Sequence, residues 1–265
     1  MIAAERRNTI KELLYKNKSV KVSELVNLFN VSEETIRRDL NQLEKEGVLE
    51  KNYGGAILIE KQSPNQIIPI HERHQQFYEE KERIGRKAAE LISAEQTVIL
   101  DAGTTTWHVS KGLQQAGKLT VITNAMNIAE ECTKNEAASI YLLGGKLRRN
   151  TLSTVGPQAE MELKKYNANY VFLGTSGISI RQGFTSSDLY EAEMKKAMVS
   201  AGQKIVVLAD HSKLQKAGLT SFCDFDQVDI FITSDLADES ILRQIEQAGV
   251  EVLVVSTKEP ADSPS

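Results

Sequence analysis

Seven short apolar runs, separated mostly by helical stretches, dominate the chain beyond residue 96. They occupy residues 97–100, 120–122, 139–143, 170–173, 205–208, 230–232 and 250–255. Nearly continuous apolar strands that alternate with helices are typical of a mostly parallel sheet covered on both faces. The pattern therefore predicts a large α/β domain over residues 76–257.

Residues 1–60 have a different pattern, in which short helices precede two short strands. Apolar residues at helical spacing predict three helices, with inward faces formed by Ile10, Leu13 and Leu14, then Leu25, Leu28 and Phe29, then Ile36, Leu40 and Leu43. Ser32 is placed to cap the third helix and Gly47 to end it. Strands over 48–51 and 56–59 flank a Gly54-Gly55 turn. This order predicts a winged helix-turn-helix, whose second motif helix enters the DNA major groove.

The polar face of the third helix and the tip of the wing supply the candidate DNA contacts. They are Ser32, Glu34, Thr35, Arg37, Arg38, Asn41, Lys51 and Tyr53. The alternative interpretation is a solvated helix face with ordinary arginines. Residues 1–60 hold ten basic and ten acidic side chains within a chain of net charge −4. DNA affinity then requires the cations to share one face, and the candidates for that face are Arg6, Arg7, Lys11, Lys18, Lys21, Arg37, Arg38 and Lys51.

The stretch between the two domains contains polar residues and proline, which predict a linker over 61–75. A single long helix over 71–92 is expected next, with Phe77, Ile84, Ala88 and Leu91 on one stripe. His71 and His74 fit a solvated helix face better than a metal site, so no metal is expected. The polar tail 258–265 is expected to be disordered.

Cysteine usage and hydropathy indicate the compartment. The chain has only two cysteines, Cys132 and Cys223, which are far apart in sequence. This usage favours a reducing cytoplasm and argues against a structural zinc site. No apolar run approaches the ~18–20 residues that span a membrane, and the N-terminus has no signal-peptide core. A cytoplasmic protein without a membrane partner is expected.

Ligands of parallel α/β sheets bind at the carboxyl ends of the strands. The candidate effector contacts are residues that follow the predicted strands, except Glu191 and Lys195, which lie one helical turn apart on a predicted helix. The full set is Asp101, Gly103, Thr104, Thr105, Thr106, Thr123, Asn124, Gly144, Gly145, Arg148, Gly174, Thr175, Glu191, Lys195, Asp210 and Lys213. Hydroxyls, backbone N–H groups at a helix start and cations together suit a phosphorylated polyol. The alternatives are a plain strand-to-helix turn at 103–106 and a surface ion pair between Glu191 and Lys195. Neither a P-loop nor a dinucleotide fingerprint is present, so no cofactor is expected.

These motifs resemble the DeoR family of transcriptional regulators along nearly the whole chain. Its N-terminal signature is matched by Arg6, Ile10, Leu14, Ser32, Thr35, Ile36, Arg37, Arg38, Asp39 and Leu40, and its wing by Tyr53-Gly54-Gly55-Ala56. The sensing domain is matched by 101–106, 123–124, 144–148, 183–185, 191–195 and 210–213. The resemblance implies a fold similar to ribose-5-phosphate isomerase and coenzyme A transferases. It also implies a repressor of carbohydrate catabolism that a phosphorylated sugar or sugar alcohol releases from its operator. Both Lys195 and Lys196 fit the family's lysine.

Two alternatives to this function remain open. Asp101, Glu191, Asp210 and Lys213 are able to shuttle protons in a phosphosugar isomerase-like enzyme, and a DNA-binding regulator can sense a ligand that is not a sugar. The winged module favours the regulator, because an isomerase has no use for it.

A homo-oligomer, either dimer or tetramer, is expected because one winged helix reads only a short half-site. Its candidate interfaces are the helix over 71–92 and the rims of the sensing domain.

Overall fold

The computed structural model describes residues 3–17, 19–45, 49–52, 54–58 and 70–258. The chain forms two compact units, residues 1–63 and 64–265, which are described separately. Tyr53, Gly47 and the tail 259–265 lie outside the described residues. Within the described ranges no helix combines the length and apolarity that crossing a bilayer requires.

Unit 1 is a winged helix-turn-helix, as the sequence predicts. Its elements are α1 (Ala3–Asn17), β1 (Ser19–Lys21), α2 (Val22–Phe29), α3 (Glu33–Lys45), β2 (Leu49–Asn52) and β3 (Gly55–Leu58). The three strands form an antiparallel sheet in the order β1-β3-β2. Strand β1 was not expected, because its three residues bury a single apolar side chain, Val20. The wing is therefore a three-stranded sheet rather than a hairpin.

Apolar side chains of the three helices form the core of unit 1. Ile36, Leu40 and Leu43 of α3 are essentially fully buried, which confirms the predicted inner face of this helix. The prediction for Leu28 is wrong, since 59% of this residue is exposed. The inner face of α2 instead follows Val22, Leu25 and Phe29, and at 3.6 residues per turn Leu28 falls to the side of that arc.

A buried ion pair joins α1 to α3. Arg6 is 7% exposed, and its Nε donates to Asp39 Oδ2 over 2.5 Å. Arg6 therefore does not belong to the predicted DNA-facing set of cations. Breaking a buried pair by removing one partner typically costs about 3–5 kcal/mol, so this contact fixes the recognition helix on its support.

Unit 2 is built around a parallel sheet of seven strands. Its elements in chain order are α4 (Ile70–Gln75), α5 (Tyr78–Ala89), β4 (Thr97–Leu100), α6 (Thr104–Gly112), β5 (Thr120–Thr123), α7 (Met126–Cys132), β6 (Ser139–Leu142), β7 (Lys146–Arg148), β8 (Ser153–Val155), α8 (Pro157–Leu163), β9 (Ala168–Gly174), β10 (Gly177–Ser179), β11 (Gly183–Ser186), α9 (Leu189–Ser200), β12 (Gly202–Leu208), β13 (Thr220–Cys223), β14 (Ile230–Ser234), α10 (Glu239–Gln247) and β15 (Glu251–Val255). The sheet order is β15-β14-β12-β9-β4-β5-β6, and all its pairs are parallel. All seven apolar runs are strands of this sheet, which confirms the predicted fold class.

Each face of the sheet carries its own apolar core. Within β4, Ile99 packs into one core, whereas Val98 and Leu100 pack into the other. Side chains of successive strand residues point to opposite faces, so a strand buried on both sides needs an unbroken apolar run. The short strands β7, β8, β10, β11 and β13 lie outside this sheet and were not all foreseen, because three or four partly polar residues give no clear pattern.

The predicted single helix over 71–92 is wrong, because the structure has two helices there. Helix α4 ends at Gln75 and α5 begins at Tyr78. Phe77 between them adopts the left-handed conformation with φ 53°, which an α-helix cannot contain. Phe77 is 44% exposed and lies edge-to-face on the His211 ring at 4.9 Å, rather than on the buried stripe with Ile84 and Ala88. Helix α4 also occupies part of the stretch predicted as linker.

Candidate functional site

Helix α3 exposes four of the predicted DNA-contact residues, Glu34, Arg37, Arg38 and Asn41. The Thr35 backbone N–H donates to Ser32 Oγ over 3.3 Å, so Ser32 caps the helix. Arg37 pairs with Glu33 at 2.6 Å, and Arg38 pairs with Glu34 at 2.7 Å. Both guanidinium groups remain more than half exposed. Solvent-exposed i, i+4 pairs are weak, at about 0.3–0.5 kcal/mol, so both arginines are available to a phosphate or a base.

The wing and α3 enclose a polar groove. Its cavity of about 280 Å³ is lined by Val22, Arg37, Leu40, Asn41, Lys51, Asn52 and Gly55. Lys51 Nζ donates to Asn41 Oδ1 over 2.5 Å and pairs with Glu44 at 3.0 Å. Three of the predicted DNA-contact residues, Arg37, Asn41 and Lys51, therefore line one groove of unit 1.

A buried ion pair stands at the centre of the strand ends in unit 2. Lys195 Nζ donates to Asp101 Oδ2 and, over 2.9 Å, to the Gly174 carbonyl. The Gly174 N–H in turn donates to Asp101 Oδ2 over 3.0 Å. Both charged side chains are at most 6% exposed. The contacts bring together three of the predicted residues from β4, β9 and α9.

The lysine beside this pair has a different environment. Lys196 Nζ pairs with Glu193 at 2.8 Å on the outer face of α9, and 47% of its side chain is exposed. Of the two lysines that fit the sequence motif, Lys195 is the one that reaches the strand ends.

The turn after β4 is held by a threonine hydroxyl. Thr106 Oγ1 donates to the Asp101 carbonyl over 2.7 Å and lies 3.0 Å from the Gly103 carbonyl. Thr104 and Thr105 are also buried in the first turn of α6. The first four N–H groups of a helix lack intrahelical partners, so the start of this nine-residue helix offers donors to an anion.

Unpartnered amide atoms lie beside the end of β5. Thr123 Oγ1 donates to the Leu100 carbonyl, and Asn124 Nδ2 donates to the Thr154 carbonyl over 2.8 Å. Asn124 Oδ1 and both amide atoms of Asn127 are buried without a hydrogen-bond partner among the described residues. Leaving a buried polar atom unpaired costs about 1–3 kcal/mol, so a water or a ligand group is expected to pair with these atoms. Sequence reasoning missed Asn127, which lies three residues after Asn124, in the first turn of α7.

Arg148 and Glu191 meet on the β7 side of the strand ends. Arg148 Nη1 pairs with Asp188 and lies 3.8 Å from Glu191 Oε1. Asp188 caps α9 by accepting from the Glu191 N–H over 3.1 Å. Glu191 thus has Arg148 as its cation and Lys195 has Asp101 as its anion, so the alternative of a surface pair between Glu191 and Lys195 is wrong.

Three other predicted residues make structural contacts. Thr175 Oγ1 contacts the carbonyls of Gly177 and Thr185 at 2.9 Å, which ties the end of β9 to β10 and β11. Gly145 has φ 146°, and a Cβ there would approach the Val155 carbonyl to 3.0 Å. Gly144 is exposed and its N–H lies 3.4 Å from Glu162 Oε2. These contacts shape the loop and do not by themselves identify a ligand.

A second charged cluster surrounds the end of β12. Asp210 accepts from the Ser212 N–H and hydroxyl, and Lys81 Nζ lies 3.9 Å from Asp210 Oδ2. Burial lowers the pKa of Lys81 from its ordinary value of 10.5 to about 8. Burial likewise lowers the pKa of Lys213, while the charge of Asp210 opposes this shift.

Sequence reasoning also missed Glu80 and Lys81. Glu80 accepts from the His211 backbone N–H at 2.7 Å and lies 2.9 Å from the His211 Nδ1 atom. The available signal was their position, because they precede Ile84 by four and three residues and so share its buried stripe. Charged residues are almost never fully buried unless they are paired.

The arrangement is suited to binding an anion that also carries hydroxyls. Parallel strands bring their carboxyl ends to one edge of the sheet, so the groups after β4, β5, β9 and β12 share that edge. Burial raises the pKa of each cysteine thiol to about 12, which makes Cys132 and Cys223 poor nucleophiles. Among the described residues, no group of three or more His, Cys, Asp or Glu side chains is placed to hold a metal ion.

Each of the two units contains a segment that matches a known family model. A family model for the DeoR-like helix-turn-helix domain matches residues 6–62, and one for the DeoR C-terminal sensor domain matches residues 76–235. The chain belongs to the DeoR family of transcriptional regulators. The two matched segments contain all the predicted DNA-contact and effector-contact residues.

Several DeoR-type relatives match almost end to end. The uncharacterized HTH-type transcriptional regulator YulB of Bacillus subtilis is 36% identical over 96% of this chain and 98% of its own length. The repressor GlcR of the same organism is 34% identical over 99% and 100%. A putative aga operon repressor of Escherichia coli O157:H7 is 32% identical over 95% and 94%.

Solved structures are more distant from this DeoR-family chain. Ribose 5-phosphate isomerase from Plasmodium falciparum has 16% identity and a TM-score of 0.39, covering 52% of this chain and 54% of that one. The sorbitol operon regulator SorC from Klebsiella pneumoniae has 10% identity and a TM-score of 0.43, covering 89% and 97%. At these identities and TM-scores, the similarity does not indicate the function of this chain.

The buried pair leads to a stability prediction. Lys195→Met leaves the Asp101 carboxylate buried without its ammonium partner, so we expect a loss of about 3–5 kcal/mol in the free energy of unfolding of unit 2. Trp107 is the chain's single tryptophan and lies in α6, so its fluorescence during urea unfolding reports on this unit. Lys196→Met is the matched control and should change stability by less than about 0.5 kcal/mol. Equal losses in the two variants would contradict the assignment.

Proposed function

We propose that this DeoR-family protein represses carbohydrate-catabolism genes and releases its operator when a phosphorylated sugar or sugar alcohol binds unit 2. The observation that carries the proposal is that one chain contains both kinds of site. Unit 1 has exposed arginines on a DeoR-type helix-turn-helix, and unit 2 has buried cations and unpartnered amides at one edge of its sheet. The relatives named as repressors, GlcR and the aga operon protein, support the sign of regulation. Action on DNA in a reducing compartment agrees with two buried free cysteines.

The proposed effector site divides the ligand between two kinds of group. The first turn of α6 and Lys213 meet the phosphate, since a desolvated dianion needs both N–H donors and a cation. Asn124, Asn127 and the carboxylates at the strand ends meet the hydroxyls. Asp101 also has a structural task, because it holds Lys195, so its substitution tests the fold as well as the ligand.

The isomerase alternative has less support. A general base needs an oxygen or nitrogen that is able to accept a proton from the substrate. Asp101 Oδ2 already accepts from Lys195 and from the Gly174 N–H, and Asp210 Oδ1 accepts from Ser212. These contacts hold the carboxylates in place, and the chain carries a DeoR-like helix-turn-helix domain, so we propose that these groups bind and do not catalyse.

DNA binding is tested with Arg37→Ala and Arg38→Ala. We expect each variant to lose at least about fivefold in affinity for a duplex that the wild type selects from a random-sequence pool, because a lost base contact costs about 1–3 kcal/mol. A residue that contacts only phosphate should instead lower the salt dependence of binding. Gel shift titration at several salt concentrations measures both effects.

Arg243→Ala is the matched control for this experiment. Arg243 pairs with Glu239 at 2.7 Å across one helical turn and is 68% exposed, which reproduces the setting of Arg38 outside unit 1. Its affinity for the duplex should equal that of the wild type. The DNA assignment is wrong if Arg37→Ala and Arg38→Ala also bind as the wild type does.

The effector class is tested by a thermal shift screen of phosphorylated sugars and sugar alcohols beside their unphosphorylated forms. A ligand at 100 times its Kd stabilises the folded state by about 2.7 kcal/mol, so a phosphorylated effector should raise the Tm of unit 2 by several degrees. Lys213→Met should lose this response, and Lys196→Met should keep it. A response to the unphosphorylated form alone would refute the proposed ligand class.

Assembly into at least a dimer is part of the proposal. Strand β6 forms one edge of the sheet and exposes Tyr141 and Leu142, each 48% exposed, which suits a contact between copies. Light scattering at micromolar concentration should give a mass of at least two chains. A monomer under these conditions would rule out this part of the proposal.

A further inference from the structure

The side chain of Lys81 connects two parts of unit 2 that are distant in sequence. Its Nζ donates to the backbone carbonyls of Arg73 and Gln76, over 2.7 Å in each case. The same ammonium lies 3.9 Å from the Asp210 carboxylate at the end of β12. Lys81 and Asp210 are at most 4% exposed. The corner between α4 and α5 is therefore fastened by the same cation that faces the strand ends.

The two carbonyls need this donor. The last carbonyls of an α-helix lack intrahelical partners, and the chain after α4 turns away through the left-handed residue Phe77. A lysine ammonium has three donors, and two of them serve Arg73 and Gln76. Removing the ammonium would leave the C-terminal end of α4 without the partner that holds it against α5.

The charges around Lys81 favour an incoming anion. Lys213 and Arg73 both repel the Lys81 ammonium and lower its pKa, while Asp210 and Glu80 attract it. Glu80 is already engaged by His211 and by the Ser234 hydroxyl at 2.7 Å. Lys81, Lys213 and Arg73 thus outnumber the two carboxylates of Asp210 and Glu80, and this surplus of positive charge would stabilise an anion beside them.

We propose that Lys81 couples effector binding to the α4–α5 corner. A phosphate group at the strand ends draws the Lys81 ammonium away from the carbonyls of Arg73 and Gln76 and loosens α4. The exchange is favourable because a charged phosphate oxygen is a stronger acceptor than a neutral carbonyl. This inference rests on the proposed function, since it needs a phosphate to bind at this edge.

The position of α4 in the chain gives the exchange a consequence for DNA binding. The boundary between unit 1 and unit 2 falls after residue 63, and α4 is the first described element of unit 2. Ligand changes an equilibrium only if it binds the two states unequally. Here the free state has Lys81 on α4 and the bound state has Lys81 on the phosphate, so the phosphate distinguishes the two states directly.

Hydrogen exchange of the wild-type protein, followed by mass spectrometry, tests the coupling with inorganic phosphate as the probe. Saturating phosphate should speed exchange of the amides in residues 70–77 by at least about fivefold, the lower end of typical coupling energies. It should also slow exchange at the start of α6. Sodium chloride at the same ionic strength is the control and should change neither segment.

The variants Lys81→Met and Lys87→Met separate the coupling from ordinary charge loss. Lys81→Met should exchange rapidly over residues 70–77 in both buffers and show no response to phosphate. Lys87 lies on the same helix, pairs with Glu90 at 2.8 Å and is 42% exposed, so Lys87→Met should behave as the wild type. If Lys81→Met does not fold, the wild-type comparison alone still decides.

Each other outcome has a definite meaning. If phosphate raises the Tm and protects α6 but leaves exchange over residues 70–77 unchanged or slower, the coupling through Lys81 is wrong and the proposed effector site stands. If phosphate neither raises the Tm nor protects α6, the coupling through Lys81 to a bound phosphate is wrong, while the thermal shift screen of phosphorylated sugars decides the proposed function.

Discussion

The ion pair between Asp101 and Lys195 is the contact on which the sensing unit depends. It joins the end of β4 to the inner face of α9, and the Gly174 peptide of β9 bonds to both partners. Desolvating two charges costs several kcal/mol per ion, which their attraction repays only when further hydrogen bonds satisfy them. The peptide between them supplies those bonds. The helix that carries Glu191 is thereby held over the strand ends with little freedom to slide.

In unit 1 a buried ion pair likewise fixes the position of a helix. The Arg6–Asp39 pair holds α1 against α3 from below, while Arg37 and Arg38 on the opposite side make only exposed contacts with glutamates one turn earlier. A buried pair is rigid because breaking it is costly, and an exposed pair is adaptable because it contributes little. Helix α3 is thus fixed in place, whereas the contacts of its exposed arginines with carboxylates are weak enough to be exchanged.

The sequence predicts those features that a repeating pattern encodes. Seven unbroken apolar runs identify the strands, and the spacing of Ile36, Leu40 and Leu43 identifies the buried side of α3. The same patterns predict that Asp101 and Lys195 lie at one edge of the sheet, since Asp101 directly follows an apolar run and Lys195 lies on a helix that packs over the strand ends. The break at Phe77 could not be predicted, because the Phe77 ring packs on His211, which lies far later in the chain. The burial of Arg6 depends in the same way on Asp39, 33 residues later.

The ionisable groups of unit 2 already bond to one another or to nearby polar groups. Asp101 and Lys195 bond to each other, Glu80 bonds to His211 and Ser234, and Lys81 bonds to two carbonyls. Each of these contacts fixes the position of a charged side chain in unit 2. A group that senses an anion needs only to change its partner, and Lys81 has the neutral partners that are easiest to give up. Under the proposed coupling, the residue that fastens α4 is also one whose contacts a bound phosphate alters.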